Sequence, residues 1–184
     1  MQPGKIIFEG KPEKGIPVII RYPQESDLQG LLSYINTLSK ERTFIRFQGE
    51  EITLEEEKEY VVKIIKHVKT NTGVHLFVLS DGKLIAAGDI SLKEKGEQHV
   101  GNLGISVDKE FRNEGIGKLL MEKLIEEAKN NLPGLKAITL SVFANNPIAK
   151  KMYESFGFTE YGNLPEGVNH KGEFVDHIFM VKKI

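Results

Sequence analysis

The amino-acid sequence predicts a mixed α/β fold of the α+β kind, with elements in the order ββααβββαβαββ. Three observations carry this reading. The spacing of apolar residues switches repeatedly between a period of about two, as strands need, and about 3.6, as helices need. Strand-like runs fall in groups at the start, middle and end of the chain, so the strictly alternating βα order of a Rossmann sheet does not apply. No repeat, low-complexity tract or Pro/Gly/Ser linker divides the 184 residues, a length that suits one domain with a continuous core.

Taken in order, Lys5 to Phe8 and Ile16 to Tyr22 are β-rich runs separated by Gly10-Lys11-Pro12 and Gly15, which predicts an early hairpin. Residues 1–15 read as an N-terminal addition to a single domain spanning 1–184. Pro23 ends the second run. Ser26 is placed to cap a helix carrying Leu28, Leu31, Leu32, Ile35 and Leu38 at helical spacing. Thr53-Leu54-Glu55-Glu56 has the form of a capping box before Val61, Val62, Ile64 and Ile65. The period then changes: Val74 to Leu79, the Asp81-Gly82 turn and Leu84 to Leu92 predict a hairpin, and a third strand runs from about Gln98 to Val107. A long amphipathic helix starts near Gly115 and stops at Pro133-Gly134. Ala137 to Phe143 is an apolar strand. Asn146-Pro147 opens another helix with a good cap and a proline at its first position, and Gly157 closes it. Strands from Phe158 and from Phe174 to Lys182 complete the chain.

Composition narrows the chemistry. Hydrophobic residues make up 40% and charged residues 28%, which fits a soluble globular protein and excludes a disordered one. With 25 Lys and Arg against 26 Asp and Glu the formal net charge is -1, which argues against nucleic acid or anionic membranes as general partners. There is no Cys, so disulfides, thiolate–metal sites and a cysteine nucleophile are excluded together. Met1 to Gly4 lacks the form of a signal peptide, no run approaches the roughly 18 apolar residues of a membrane helix, and the expected location is cytoplasmic. His67, His75, His99, His170 and His177 form no compact metal pattern, and no G-x-S-x-G elbow is present. No metal is expected.

The most informative segment is Leu103-Gly104-Ile105-Ser106-Val107 followed by Arg112-Asn113-Glu114-Gly115-Ile116-Gly117-Lys118. A strand ends, a turn carries two glycines, and a long helix begins. Free amides and the positive helix end converge there, a cradle for phosphate oxygens, and Arg112 and Lys118 can add charge. Neither nucleotide motif fits. A Walker A loop needs Gly where Arg112 stands and Ser or Thr where Leu119 stands; a dinucleotide fingerprint needs Gly where Leu120 stands. On its own the turn also reads as a glycine-started helix with no ligand.

The turn does not stand alone. R-x-x-G-x-G after a strand is followed by Asn146-Pro147-Ile148-Ala149, Tyr153 and Phe156-Gly157-Phe158, an N-x-x-A-x-x-x-Y-x-x-x-G-F segment. Together these resemble the two signatures of the GNAT superfamily of acetyl-CoA-dependent N-acetyltransferases, and Ile19 to Leu28 and Glu173 to Met180 extend the likeness over nearly the whole chain. The resemblance implies the GNAT acyl-CoA N-acyltransferase fold, a twisted mixed sheet with helices on both faces. It also implies a splay between the strands ending at Val107 and Phe143 that admits the pantetheine arm. The implied acyl donor is acetyl-CoA and the implied acceptor an amine.

Residue by residue, the resemblance assigns the main chain of Ile105 and Val107, with Ser106 between them, to the pantetheine arm and thioester carbonyl. Amides of Arg112, Asn113, Glu114, Gly115, Ile116, Gly117 and Lys118 take the pyrophosphate. Asn146 hydrogen-bonds the pantetheine region, Ala149 leaves room for the cofactor, and Tyr153 is the catalytic acid for the departing thiolate. Plain readings stand beside two of these: Asn146 is a sensible helix cap in any protein, and Tyr153 could be a core tyrosine.

One piece is missing. A subgroup resembling phosphinothricin acetyltransferases carries Glu on the central strand where this chain has Asn102, which cannot act as a base. His99, Asp89, Glu50 and Glu51 are other candidates without a motif around them, and each also reads as a surface or structural residue. An acidic run from Glu50 to Glu59 suits a cationic acceptor, and equally a helix N-terminus and solvated face. The leading expectation is acetylation of a primary amine on a small molecule. The alternatives are acetylation of a protein N-terminus or lysine, and an acyl-CoA-binding sensor without turnover. Family members are often dimers, so a homodimer is compatible with the resemblance.

Overall fold

The structure, a computed structural model, describes residues 1–12 and 15–184. Its elements follow the predicted order: β1 (Ile6–Gly10), β2 (Val18–Arg21), α1 (Leu28–Glu41), α2 (Leu54–Thr70), β3 (Gly73–Ser80), β4 (Lys83–Leu92), β5 (Val100–Val107), α3 (Ile116–Asn131), β6 (Ala137–Phe143), α4 (Pro147–Ser155), β7 (Thr159–His170) and β8 (Glu173–Lys183). β1 and β2 pair antiparallel, as the early hairpin requires; residues 13 and 14, in its connection and in the expected N-terminal addition, lie outside the described residues.

Local chemistry explains where the helices begin. At α2, Thr53 Oγ1 accepts from the Glu56 amide and the Glu56 carboxylate accepts from the Thr53 amide, the reciprocal cap expected from the sequence. The first helix differs from expectation. Ser26 lies inside a short 3-10 turn, Glu25–Asp27, and α1 starts at Leu28. Asp27 organises that turn instead, accepting from the Gln24 amide at 2.8 Å and pairing through both oxygens with Arg21 at the end of β2.

All eight strands form one sheet in the order β1-β2-β3-β4-β5-β6-β8-β7, antiparallel throughout except for the β5–β6 pair. Helices cover both faces. Val74, Leu76 and Val78 of β3 join Leu120, Leu124 and Ala128 of α3 in one apolar cluster, while Phe77 turns to Leu31 and Leu38 of α1 and Ile64 of α2 in another. This is the period-two alternation of a strand buried on both sides. α3 approaches β4 so closely that a Cβ at Gly88 would lie 2.7 Å from Leu124 Cδ1, and any side chain there would have to displace it.

The seam between β5 and β6 positions everything that follows. They share just Val100↔Ala137, Gly101↔Ile138 and Asn102↔Thr139 before parting. β5 stays paired with β4 as far as Val107, and β6 with β8 as far as Phe143. Each strand is held by its outer neighbour while the sheet twists, so their C-terminal halves diverge into a V.

Candidate functional site

The V holds a cavity of about 440 Å³. Ile105, Ser106 and Val107 form one wall, and Ser141, Val142 and Phe143 the other. Asn146, Ala149, Met152 and Tyr153 of α4 and its cap close one side, and Arg112, Asn113, Gly115, Gly117 and Lys118 close the end. A second hollow of about 380 Å³, between α1 and the β4–β5 side, contains none of the residues singled out from the sequence.

The start of α3 is built for an anion. Gly115 is its cap residue at φ 77, a left-handed conformation that costs an ordinary side chain about 1–2 kcal/mol. No side chain caps the helix. The amides of Ile116, Gly117 and Lys118 have neither a main-chain nor a side-chain acceptor among the described residues. Such groups carry the positive end of the helix dipole. At Gly117 a methyl would stand 3.6 Å from Val107 Cγ2 and 3.8 Å from Met152 Sδ, both of them cavity-lining residues.

The side chains of this turn take different roles. The Arg112 guanidinium is already engaged: it makes a two-pronged ion pair with Glu41 at the end of α1, at 2.5 and 2.8 Å, and Nε donates to the Val107 carbonyl at 3.0 Å. It therefore braces the turn against β5 and α1, and its charge is largely answered before any ligand arrives. Ile116 is buried in the core, and Glu114 lies against Gly15; neither side chain lines the cavity. Ser106 shows its hydroxyl to the other face of the sheet, 2.9 Å from Tyr34 Oη.

On α4, Asn146 Oδ1 accepts from the Ala149 amide at 3.2 Å, so it caps the helix while its residue lines the cleft. Tyr153 is 7% exposed and packs near Phe158. Burial pushes its phenol up to about 12, and no other described group hydrogen-bonds its hydroxyl. It is a protonated phenol in a cavity wall.

The loop between α1 and α2, whose Glu50 and Glu51 the sequence singled out, supplies a wall through other residues: Thr43, Phe44 and Ile45. His170 of β7 anchors it. Its Nε2 donates to the Arg42 carbonyl at 3.1 Å, and its Nδ1 accepts from Asn145 Nδ2 at 3.0 Å, next to the α4 cap. Phe44 stacks beside His170, and both meet Phe143. No periodicity marks this loop, and its anchor is 128 residues away. Among the candidate bases, Glu50, Glu51 and His99 are exposed and Asp89 is half-buried; none of them lines the cavity, and neither does the exposed Asn102. Glu56 is occupied by its capping box, so one carboxylate of the acidic run has a structural task.

A splayed parallel pair, an uncapped helix start at its mouth and a phenol within it are the parts of an acyl-CoA cleft. Residues 35–158 match the model of the Acetyltransferase (GNAT) family. The chain belongs to that family. The matched region runs from α1 to the residue before β7 and contains every cavity residue from Thr43 to Tyr153. Among curated relatives, an L-amino acid N-acetyltransferase, AaaT, of Escherichia coli is 32% identical over 103 residues, 55% of this chain and 63% of that protein. A [ribosomal protein bS18]-alanine N-acetyltransferase of Salmonella typhimurium is 41% identical over 56 residues, 30% of this chain and 36% of that one. The aligned segments thus span less than two thirds of either relative. An acetyltransferase of the GNAT family from Streptococcus pneumoniae superposes with a TM-score of 0.82 at 27% identity, over 91% of this chain and 99% of that structure. The GNAT likeness expected from the two sequence signatures therefore holds for both family and fold.

Proposed function

We propose that this chain is an acetyl-CoA-dependent N-acetyltransferase that delivers the acetyl group directly to a primary amine of a small molecule. One observation carries the reading: Gly117 and Lys118, whose amides are unpartnered among the described residues, and the buried Tyr153 phenol belong to the lining of one cavity. The pyrophosphate of acetyl-CoA is assigned to those amides, with Arg112, Asn113, Glu114 and Gly115 shaping the turn. The pantetheine arm is assigned to the V between Ile105, Ser106 and Val107 and the cap at Asn146, with Ala149 leaving it room. All eight strands in one sheet support treating residues 1–184 as a single catalytic unit.

The reaction needs three things from the chain. An alkylammonium with a pKa near 10 must lose a proton, which costs about 4 kcal/mol at neutral pH. Attack on the thioester creates an oxyanion, for which main-chain amides around Ile105 and Val107 are the assigned donors. Collapse breaks the C–S bond, and Tyr153 hands its proton to the leaving thiolate. A phenol raised by burial stays protonated at working pH and is ready for that role.

Two named relatives are an L-amino acid N-acetyltransferase and a [ribosomal protein bS18]-alanine N-acetyltransferase. Amino acids are accordingly the first acceptors to test. The second reading, a protein N-terminus, is favoured by the 41% identity to the bS18 enzyme over its short aligned segment. Release of free CoA thiol from acetyl-CoA is measured across amino acids, other small amines and short peptides; the cysteine-free chain adds no thiol of its own. Turnover on small amines well above peptides is expected. Preference for peptides selects the second reading, and tight acetyl-CoA binding with no thiol release selects a sensor.

A further inference from the structure

The acceptor amine must lose a proton, yet Asn102 stands where a carboxylate is found in one subgroup of the family. A neighbouring strand places a carboxylate beside that position. Asp89 of β4 pairs with Gly104 of β5, and Ser91 pairs with Asn102. Side chains alternate along a strand, so Ala87, Asp89 and Ser91 share one face of the sheet. On that face Ala87 packs with the α1–α2 cluster, as does Ile45 of the loop that walls the cleft.

Two details fix the Asp89 carboxyl. Oδ2 accepts a hydrogen bond from the Ser91 hydroxyl at 2.8 Å. Oδ1 is aimed at Gly104: a Cβ placed there would lie 3.1 Å from it, with no other atom beyond the adjoining residues within 4 Å. The absent side chain therefore leaves a gap in front of Oδ1. Asp89 and Gly104 are both half-buried, and Asn102 beside them is exposed. Gly104 is one strand residue from Ile105 in the cleft wall, a rise of about 3.4 Å.

We propose that Asp89 is the general base of this acetyltransferase, taking a proton from the acceptor ammonium through the gap over Gly104, either directly or across one water. The inference rests on the acetyl-transfer reading above. The ammonium loses one proton to Asp89, and the nitrogen lone pair then forms the C–N bond. As the C–S bond breaks, Tyr153 protonates the thiolate, and the second proton shed by the nitrogen restores the phenol. Asp89 passes its proton to solvent, so each turnover yields amide, CoA thiol and one released proton.

The surroundings agree with the task. Burial raises the Asp89 carboxyl to about 6, against the opposing pull of the Ser91 hydroxyl and the Lys63 ammonium. The other titratable groups facing it are Tyr60 and, near Tyr60, Glu57 from α2, and His75 from β3, which reaches Ser91 and has His67 behind it. Burial holds His75 neutral, down at about 3, and drives the Tyr60 phenol upward. Asp89 therefore changes charge near pH 6, while burial also raises Glu57 and lowers His67 from their ordinary values. A base poised close to the working pH is the efficient choice.

The test compares wild-type protein with Asp89→Asn, an isosteric change that keeps an oxygen for Ser91. CoA release is followed against pH with the best alkylamine of the panel and with hydroxylamine, which is already neutral at about pH 8 and needs no base. Asp89→Asn is expected to lower kcat/KM for the alkylamine by about a hundredfold or more and to remove an ascending limb near pH 6. Hydroxylamine turnover should fall by far less, and acetyl-CoA affinity should stay within about twofold. Retention of that limb and rate by the variant overturns the assignment. So does an equal loss with both nucleophiles, which makes Asp89 structural. A wild-type protein that binds acetyl-CoA yet acetylates neither nucleophile overturns the acetyl-transfer reading itself, and the base with it.

Discussion

Gly117→Ala separates the fold's need for glycine from the cofactor's. The added methyl meets Val107 Cγ2 at 3.6 Å and Met152 Sδ at 3.8 Å, both ordinary contact distances, and the residue does not need a left-handed backbone. The empty protein therefore accepts alanine. Its preference for helix over glycine is worth up to about 1 kcal/mol, less in the first turn, so the unliganded Tm should rise by between 0 and about 4 °C. Acetyl-CoA should report the opposite sign. A methyl among the free amides keeps phosphate oxygens from closing on them, and losing one charge-assisted hydrogen bond costs about 1.5–3 kcal/mol. That corresponds to roughly ten- to a hundredfold in Kd. Calorimetric titration of acetyl-CoA, with thermal melts in its presence and absence, reads both numbers. Gly117→Arg should abolish the ligand-induced shift altogether. An alanine variant with unchanged Kd, or an arginine variant with a normal shift, would place the pyrophosphate elsewhere and refute the cradle.

Three further perturbations test the surrounding parts. Tyr153→Phe should reduce kcat by about ten- to a hundredfold with little change in acetyl-CoA Kd, and the wild-type rate should show no loss from phenol ionisation until close to pH 12, both read from steady-state kinetics and binding. Glu41→Gln leaves the part-buried Arg112 guanidinium facing a neutral partner; about 1 kcal/mol of stability and an ordered turn should go, seen as a lower Tm by about 2–4 °C and a weaker acetyl-CoA complex. Asp89 also predicts a pH signature in stability. Its folded carboxyl titrates near 6, above the unfolded value of about 3.9, so its contribution is fully present below about pH 4 and is lost as pH rises through 6. Asp89→Asn should therefore match wild type in melting near pH 4 and exceed it by about 1–3 kcal/mol at pH 8; an equal difference at both values would contradict the shift.

The sequence made local rules visible and long-range partnerships invisible. Thr53 with Glu56, and Asn146 with Pro147, announce helix starts because every atom involved lies within one turn. Ser26 misled because Asp27, one residue later, is claimed by Arg21 and reorganises the turn. The glycines at 115 and 117 marked the end of the cleft, but the ion pair between Arg112 and Glu41 spans 71 residues and has no local trace. Phe44 and Ile45 belong to a loop whose shape depends on His170, so no pattern within the loop could reveal them. Asp89 looked like any strand carboxylate until the register set it opposite a glycine.

The short β5–β6 seam has a mechanical consequence. Three register pairs join the part of the sheet built from β1 to β5 to the part built from β6 to β8. The molecule resembles a book with a brief stretch of stitched spine. A ligand lying in the V, gripped by α3 on one leaf and α4 on the other, acts as a second binding across that spine. The free protein lacks that second binding, so the seam is one place where the sheet can open locally. Amides that face the seam, at Gly101 and Thr139, should exchange with solvent faster than those of the β3–β4 hairpin, and acetyl-CoA should slow them most.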